Sequence, residues 1–207
     1  MAKLLYIEGS PRKERSASIA VARAFLEEYR KLHPKDEVIT CDLWSRNLPP
    51  FDGDIINAKY AIMHGQPRTS AQAQAWKAVE AIISEFTQAD RYLISTPMWN
   101  FSIPYRLKHY IDILVQPGYT FSVSPQEGYK GLVTGKKVTL IYARGGAYQD
   151  PAAADLDLQT KYMQTILKFI GFKDLDSVII EPTLSGSPEE KEKLLQKAKQ
   201  QAKLCAV

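Results

Sequence analysis

Five short apolar runs, separated by segments of helical periodicity, constrain the fold of this chain more than any other feature of its sequence. The runs cover residues 4–7, 38–41, 92–95, 138–143 and 177–180. Each run is rich in β-branched or aromatic residues, and most are continuous rather than alternating in polarity. Continuous apolar strands are typical of a sheet that is covered on both faces.

Five helical patterns alternate with these runs. One of them repeats apolar residues at Trp76, Val79 and Ile83, and the last begins with Ser187 and Glu190 at the spacing of a capping box. The other three cover residues 18–32, 104–114 and 163–170. The alternation predicts an α/β fold with a five-stranded parallel sheet in the order 2-1-3-4-5 and helices on both faces.

Length and composition limit the class of protein. The chain has 207 residues, 45% of them hydrophobic, and a formal net charge of +4. The high hydrophobic fraction and the small net charge exclude a disordered chain, and the length predicts one domain over residues 1–207. A charge of +4 does not call for nucleic acid, which needs a concentrated basic stripe. Residues 42–69 and 118–137 exceed ordinary connections, and such segments are usually functional or form interfaces.

The cysteines and the first residues bear on the compartment. Cys41 and Cys205 form no CxxC or Cys/His spacing, so neither a disulfide scaffold nor a metal site is predicted. The apolar run at residues 4–7 is too short for a signal peptide, and no segment approaches the ~20 apolar residues of a membrane span. We expect a cytoplasmic protein that binds neither nucleic acid nor a membrane.

The loop after the first predicted strand has the donors that a terminal phosphate needs. Ser10, Ser16 and Ser18 supply hydroxyl groups, and the helix that follows supplies free N–H groups at its N-terminus. The loop matches neither GxGxxG nor GxxxxGK[ST], so a dinucleotide-binding turn and a P-loop are not predicted. The alternative is that Ser16 or Ser18 only caps the helix.

The same loop carries a local basic charge. Arg12, Lys13 and Arg15 stand against one acidic residue, Glu14, which leaves a charge of +2. A positive field at this point favours an anionic group of a ligand.

The loop after the third predicted strand offers surfaces for a planar ring. Met98, Trp99 and Phe101 can lie along such a ring, while Asn100 and the backbone can form hydrogen bonds with its polar edge. Ligands of an open parallel sheet bind at the carboxyl ends of the strands, where this loop lies. The alternative is that the aromatic residues serve only the core.

The loop after the fourth predicted strand contains paired glycines, Gly145 and Gly146, which allow the backbone to approach a ligand. A simple turn is the alternative. A phosphate at the first loop and a flat heterocycle between the other two describe FMN.

Three motifs carry a resemblance to a known family. They are Pro97-Met98-Trp99-Asn100-Phe101, the stretch GLVTGKK at residues 131–137, and Arg144-Gly145-Gly146, with weaker support from Ser10 and residues 16–18. Over essentially its whole length, the chain resembles the FMN-dependent NADH-azoreductases, also described as FMN-dependent NADH:quinone oxidoreductases, of flavodoxin-like fold.

The resemblance implies which residues bind the cofactor. The phosphate group would be held by Ser10, Ser16, Ala17 and Ser18. The isoalloxazine would be flanked by Met98, Trp99, Asn100 and Phe101, with Ala143, Arg144, Gly145 and Gly146 along its polar edge. Several relatives have serine at the position of Ala143, so a hydroxyl contact is absent here while backbone contacts remain.

The resemblance also implies a homodimer with one FMN per subunit, each at the subunit interface. Hydride would pass from NADH or NADPH through FMN to a quinone or, in some relatives, to an azo bond. Both substrates need the same flavin face, so we expect ping-pong kinetics, and no side chain is assigned as acid or base. Residues 42–69, with Pro49, Pro50 and Phe51, are expected to reach the neighbouring site.

The alternative function is that of a flavodoxin-like electron carrier or flavin-binding module without its own turnover. Carriers of that kind are typically acidic and short. A sequence pI near 8.9 and two long connecting segments favour an enzyme. No motif in the sequence distinguishes NADH from NADPH.

Overall fold

A five-stranded parallel sheet forms the centre of the protein. The computed structural model describes all 207 residues. The strands are β1 (Lys3–Glu8), β2 (Glu37–Asp42), β3 (Arg91–Pro97), β4 (Phe121–Ser124), β5 (Gly128–Gly131), β6 (Lys137–Ala143) and β7 (Asp174–Ile180). The parallel sheet has the order β2-β1-β3-β6-β7, and β4 pairs with β5 in a separate antiparallel hairpin.

Six helices accompany the sheet. They are α1 (Ala17–Leu32), α2 (Gly53–Met63), α3 (Ser70–Thr87), α4 (Tyr105–Leu114), α5 (Leu158–Ile170) and α6 (Pro188–Leu204). One face of the sheet packs against α1 and α6, and the other packs against α3, α4 and α5. No helix in the structure is long and apolar enough to cross a membrane.

The central strand β1 explains why the apolar runs are continuous. Leu5 and Ile7 pack into the larger core cluster with α3, α4 and α5, while Leu4 and Tyr6 pack into the cluster with α1 and α6. Successive side chains of a strand point to opposite faces, so a strand covered on both sides is apolar at every position.

The predicted parallel sheet and its helices on both faces are confirmed. Counted over all strands of the chain, the order is β2-β1-β3-β6-β7 rather than 2-1-3-4-5. The difference arises from the hairpin β4–β5, which lies in residues 118–137 and was not predicted. Its strands have four residues each and carry two glycines, so they lack the apolar run that marks a sheet strand.

The other long connection also contains an unpredicted element. Within residues 42–69, α2 is capped by Asp52, whose side chain accepts from the N–H groups of Asp54 and Ile55. Its buried side chains are Ile55, Ala58 and Ala61, two of which are small. An apolar stripe built from alanine is weak, so the sequence pattern alone does not reveal this helix.

The hairpin is fixed by a close approach of two backbones. An added Cβ on Gly131 would lie 2.3 Å from the backbone nitrogen of Gly171, at the end of α5. In the same place the N–H of Val133 donates to the carbonyl of Ile170 at 2.8 Å. Only glycine at position 131 permits this contact.

Candidate functional site

Three loops meet at one edge of the sheet because β1, β3 and β6 are neighbouring parallel strands. Backbone hydrogen bonds tie the strand ends together: the N–H of Gly9 donates to the carbonyl of Ser95, and that of Met98 to the carbonyl of Ala143, both at 2.8 Å. The loops after β1, β3 and β6 therefore lie side by side at the carboxyl end of the sheet, where open α/β proteins bind ligands.

The loop after β1 buries three serine side chains. Ser10, Ser16 and Ser18 are 5% exposed or less. The Oγ atoms of Ser16 and Ser18 lie 3.1 Å apart, and Ser16 caps α1 by accepting from the N–H of Ile19 at 3.4 Å. The N–H groups of Ala17 and Ser18 donate to no acceptor within the protein. Buried hydroxyl groups beside free N–H groups at a helix N-terminus suit an anion.

The basic residues of this loop differ in what they contact. The ammonium group of Lys13 forms ion pairs with Glu8 at 2.6 Å and Asp42 at 2.5 Å. Burial opposes the charged form, yet these two carboxylates raise the pKa of Lys13. Arg12 and Arg15 are exposed and have no such partner. The predicted positive charge beside the serine side chains thus rests on the two arginines.

The loop after β3 forms a tight turn with an unusual backbone. Trp99 and Ser102 exchange two backbone hydrogen bonds of 2.9 Å around Asn100 and Phe101, whose φ angles are +47° and +67°. Two left-handed residues are typical of a type I′ turn, and asparagine adopts this conformation readily. Phenylalanine does not, so the turn stores strain on the order of 1–3 kcal/mol.

This turn presents aromatic side chains at the surface. Trp99 and Phe101 are 37% and 43% exposed. The Trp99 ring lies 5.7 Å from that of Trp44 and 6.4 Å from that of Tyr105, measured between centroids. The indole N–H of Trp44 donates to the carbonyl of Gly9 at 3.0 Å. Trp44 thereby links the aromatic group to the loop that carries the serines.

The guanidinium of Arg144, at the end of β6, is completely buried by its own partners. It forms ion pairs with Asp157 at 3.0 Å and Glu181 at 3.2 Å, and it donates to the side chains of Gln159 and Thr160. Its backbone N–H and carbonyl are also hydrogen-bonded within the protein. The polar groups of Arg144 therefore all have hydrogen-bond partners within the protein.

The backbone N–H groups of Gly145 and Gly146 are free donors, since neither donates to an acceptor in the protein. An added Cβ on Gly145 would lie 2.7 Å from the tip of the Leu184 side chain, and one on Gly146 would lie 3.3 Å from the Tyr148 ring. The donors expected for the edge of a ring are accordingly those of the two glycines.

The loops after β3 and β6 meet through aromatic side chains. The Phe101 ring contacts the Tyr148 ring edge to face, with centroids 6.1 Å apart. Clefts of about 440 and 330 Å³ lie elsewhere on the surface, and one of about 310 Å³ is lined in part by Gln149 and Glu181. The largest of them lies between α3 and the segment around the hairpin, lined by residues such as Glu80 and Lys136.

The residues present at this edge fit FMN. The serine loop has hydroxyl and N–H donors for a phosphate, the turn at Trp99 has exposed aromatic faces for a planar ring, and the paired glycines have free N–H groups for its carbonyl edge. These are three separate observations at three neighbouring loops.

Comparison with known proteins decides the family. The sequence matches a family model described as the flavodoxin-like fold over residues 2–204. The chain belongs to this flavodoxin-like family. Its relatives include the FMN-dependent NADH:quinone oxidoreductase of Desulfotalea psychrophila (strain LSv54 / DSM 12343), 50% identical over 202 residues that make up 98% of this chain and 95% of the relative.

Solved structures agree with this flavodoxin-like assignment. An azoreductase from Bacillus anthracis str. Sterne matches with a TM-score of 0.92 and 32% identity, over 100% of this chain and 99% of that one. An FMN-dependent NADH-azoreductase from Bacillus anthracis str. Ames Ancestor, in complex with FMN, matches with a TM-score of 0.90 and 29% identity, over 100% and 98%. The resemblance inferred from the motifs is confirmed.

Sequence reasoning missed three residues that shape this flavodoxin-like site: Trp44, Asp157 and Glu181. The signal for Trp44 was its place two residues after β2, at the same edge of the sheet as the predicted loops. Glu181 follows β7 directly at the same edge, but nothing in the sequence marks it or Asp157 as a partner of Arg144.

Proposed function

We propose that this protein is an FMN-dependent oxidoreductase that passes hydride from NAD(P)H to quinones and to aromatic azo compounds by a ping-pong mechanism. The observation that carries this function is the meeting, at one sheet edge, of the buried serines, the aromatic turn and the free glycine donors. The chain also shares 50% identity with an FMN-dependent NADH:quinone oxidoreductase.

In this function, the loop after β1 binds the phosphate. Ser10, Ser16 and Ser18 donate from their hydroxyl groups, and Ala17 and Ser18 donate from the backbone. The positive end of the α1 dipole adds to the attraction. Three hydroxyl groups with low exposure exclude water from the phosphate, which strengthens each hydrogen bond.

The other two loops orient the ring. Met98, Trp99, Asn100 and Phe101 flank it, and residues 143–146 follow its polar edge, with the N–H groups of Gly145 and Gly146 as donors. What bound FMN supplies is hydride transfer between NAD(P)H and an acceptor. The protein residues bind and orient, and no side chain is assigned as acid or base.

Visible absorption and steady-state turnover test the function together. Purified protein should show the absorption bands of bound oxidised FMN and should oxidise NADH when a quinone is added. Initial rates at several concentrations of both substrates should give parallel double-reciprocal lines, because both substrates use one flavin face. Bound flavin without turnover would indicate an electron carrier instead, and intersecting lines would contradict the shared face.

The homodimer is part of the same proposal. The helix α2 exposes Ile56, Tyr60 and Met63 on one side, 39%, 51% and 48% exposed respectively. Phe51 packs against its own core, and the carbonyl of Pro49 lies 2.9 Å from Nε2 of His109. Within residues 42–69, α2 is therefore the better candidate for contact with a second subunit.

We place the enzyme in the cytoplasm and treat residues 1–207 as one domain. Cys41 and Cys205 are both free thiols, as is usual in a reducing compartment. Both core clusters share the same five-stranded sheet, which supports a single folding unit.

A further inference from the structure

The carboxylate of Glu181 joins the two ends of the loop that follows β6. Its Oε2 accepts from Nη1 of Arg144 at 3.2 Å, and its Oε1 accepts from the backbone N–H of Gln149 at 2.6 Å. The side chain is only 3% exposed. A carboxylate in such a place needs both donors, because an unpaired buried charge is strongly destabilising.

The segment that carries Glu181 also engages the carbonyl groups of this loop. The N–H of Thr183 donates to the carbonyl of Arg144 at 2.9 Å, and that of Leu184 donates to the carbonyl of Gly145 at 3.3 Å. The carbonyls of Arg144 and Gly145 are thus used inside the protein, while the N–H groups of Gly145 and Gly146 have no partner there. At Gly145, the loop is held so that it offers its donor rather than its acceptor.

Arg144 serves as the anchor in this arrangement. Asp157 and Glu181 both form ion pairs with its guanidinium, and Asp157 also caps α5 by accepting from the N–H of Thr160 at 2.9 Å. The loop is therefore tied to β7 through Glu181 and to α5 through Asp157. The two ends of the loop, Arg144 and Gln149, are therefore fixed relative to the sheet.

We propose that Glu181 is a positioning residue for the ring edge of the flavin site: by bridging Arg144 and Gln149 it fixes the free N–H groups of Gly145 and Gly146. This inference rests on the proposed FMN function. Glu181 acts through the loop and touches no reacting atom. It affects the part of the site that binds the flavin ring and not the serine loop that binds the phosphate.

The test compares the binding of FMN and riboflavin to the apoprotein. Glu181→Gln leaves one acceptor oxygen for two donors. We expect the Kd values of FMN and riboflavin to rise by the same factor, roughly tenfold, because both ligands share the ring. With saturating FMN, the visible circular dichroism bands should shift, since the ring lies in an altered environment.

A second variant removes the other half of the bridge without touching the buried carboxylate. Gln149→Pro deletes the backbone N–H in an exposed part of the loop, and both Kd values should rise severalfold. Gln149→Ala keeps the N–H and should retain wild-type affinities. Glu192→Gln, on the exposed face of α6, repeats the loss of charge and should also bind as the wild type does.

The outcomes separate this inference from the function on which it rests. If wild-type protein takes up no FMN, the proposed function and this inference both fail. If wild-type protein binds FMN while Gln149→Pro and folded Glu181→Gln show unchanged affinities and unchanged bands, only the role of Glu181 is overturned. A loss confined to FMN, with riboflavin unaffected, would also overturn it, because the effect would then lie at the phosphate.

Discussion

A serine at the start of a helix can cap the helix or bind a ligand, and Ser18 is placed for the second role. Ser16 is the residue that caps α1, whereas the fully buried Ser18 hydroxyl contacts only Oγ of Ser16. We expect Ser18→Ala to weaken FMN binding by ~1–2 kcal/mol, the loss of one hydrogen bond to a charged group. Fluorescence titration of the apoprotein with FMN measures this as a roughly 5- to 30-fold increase in Kd.

Riboflavin, which lacks the phosphate, is the control for the Ser18 prediction. Its affinity should be the same for the wild type and for Ser18→Ala. An equal loss for both ligands would show that Ser18 supports the fold of the loop rather than the phosphate.

The residues of the site differ in how far the sequence reveals them. Trp99 and Gly145 come two residues after β3 and β6, and Ser18 lies at the start of the helix that follows β1, so the topology of a parallel sheet places all three at one edge. The partners of Arg144 could not be predicted: Glu181 follows the neighbouring strand β7 at the same edge, but only the ion pair shows that it contacts Arg144. Long-range polar contacts of this kind depend on the final packing.

At the level of elements, Gly131 holds the hairpin β4–β5 against the end of α5. Gly131→Ala would place a Cβ within 2.3 Å of the nitrogen of Gly171, and the overlap is with backbone, which cannot rotate away. We expect the free energy of unfolding to fall by about 2–3 kcal/mol, as for an overpacked core position. Urea denaturation followed by far-UV circular dichroism measures the change.

Gly53→Ala is the matched control for the hairpin prediction. Gly53 is the first residue of α2, and an added Cβ there meets nothing within 4 Å. This variant should keep its stability or gain about 0.4–1 kcal/mol from a less flexible unfolded chain. Equal stability of the two variants would refute the proposed contact between hairpin and helix.

Elements were predictable where one residue pattern decides the structure. The three inner strands β1, β3 and β6 are buried at nearly every position, and the capping box of Ser187 and Glu190 begins α6 as predicted. The helix α2 and the hairpin β4–β5 lack such patterns, since each depends on packing against a neighbour. Gly131 shows the reason: its requirement for glycine comes from Gly171, forty residues further along the chain.

For the whole molecule, the proposed homodimer depends on the exposed apolar side of α2 as its contact surface. Sedimentation of the wild type should give a mass near twice the 23.3 kDa of one chain. Tyr60→Glu places a charge within the exposed apolar side of α2 and should raise the dimer Kd at least tenfold, because a tyrosine at the centre of an interface often contributes 2 kcal/mol or more. The mass should then fall toward one chain.

Gln74→Glu, at an exposed position of α3, introduces the same charge and should leave the mass unchanged. A wild type that sediments as a single chain would refute the homodimer. A Tyr60→Glu variant that remains dimeric would place the interface elsewhere on the surface.

The turn at Asn100 and Phe101 has a consequence for the rate and entropy of ligand capture. Its two left-handed residues are fixed by Trp99 and Ser102 within the folded chain, so the loop is ordered during folding rather than during binding. Because the turn is already ordered, the binding of a ligand there costs little conformational entropy. The association rate is then not slowed by a prior closure of the loop.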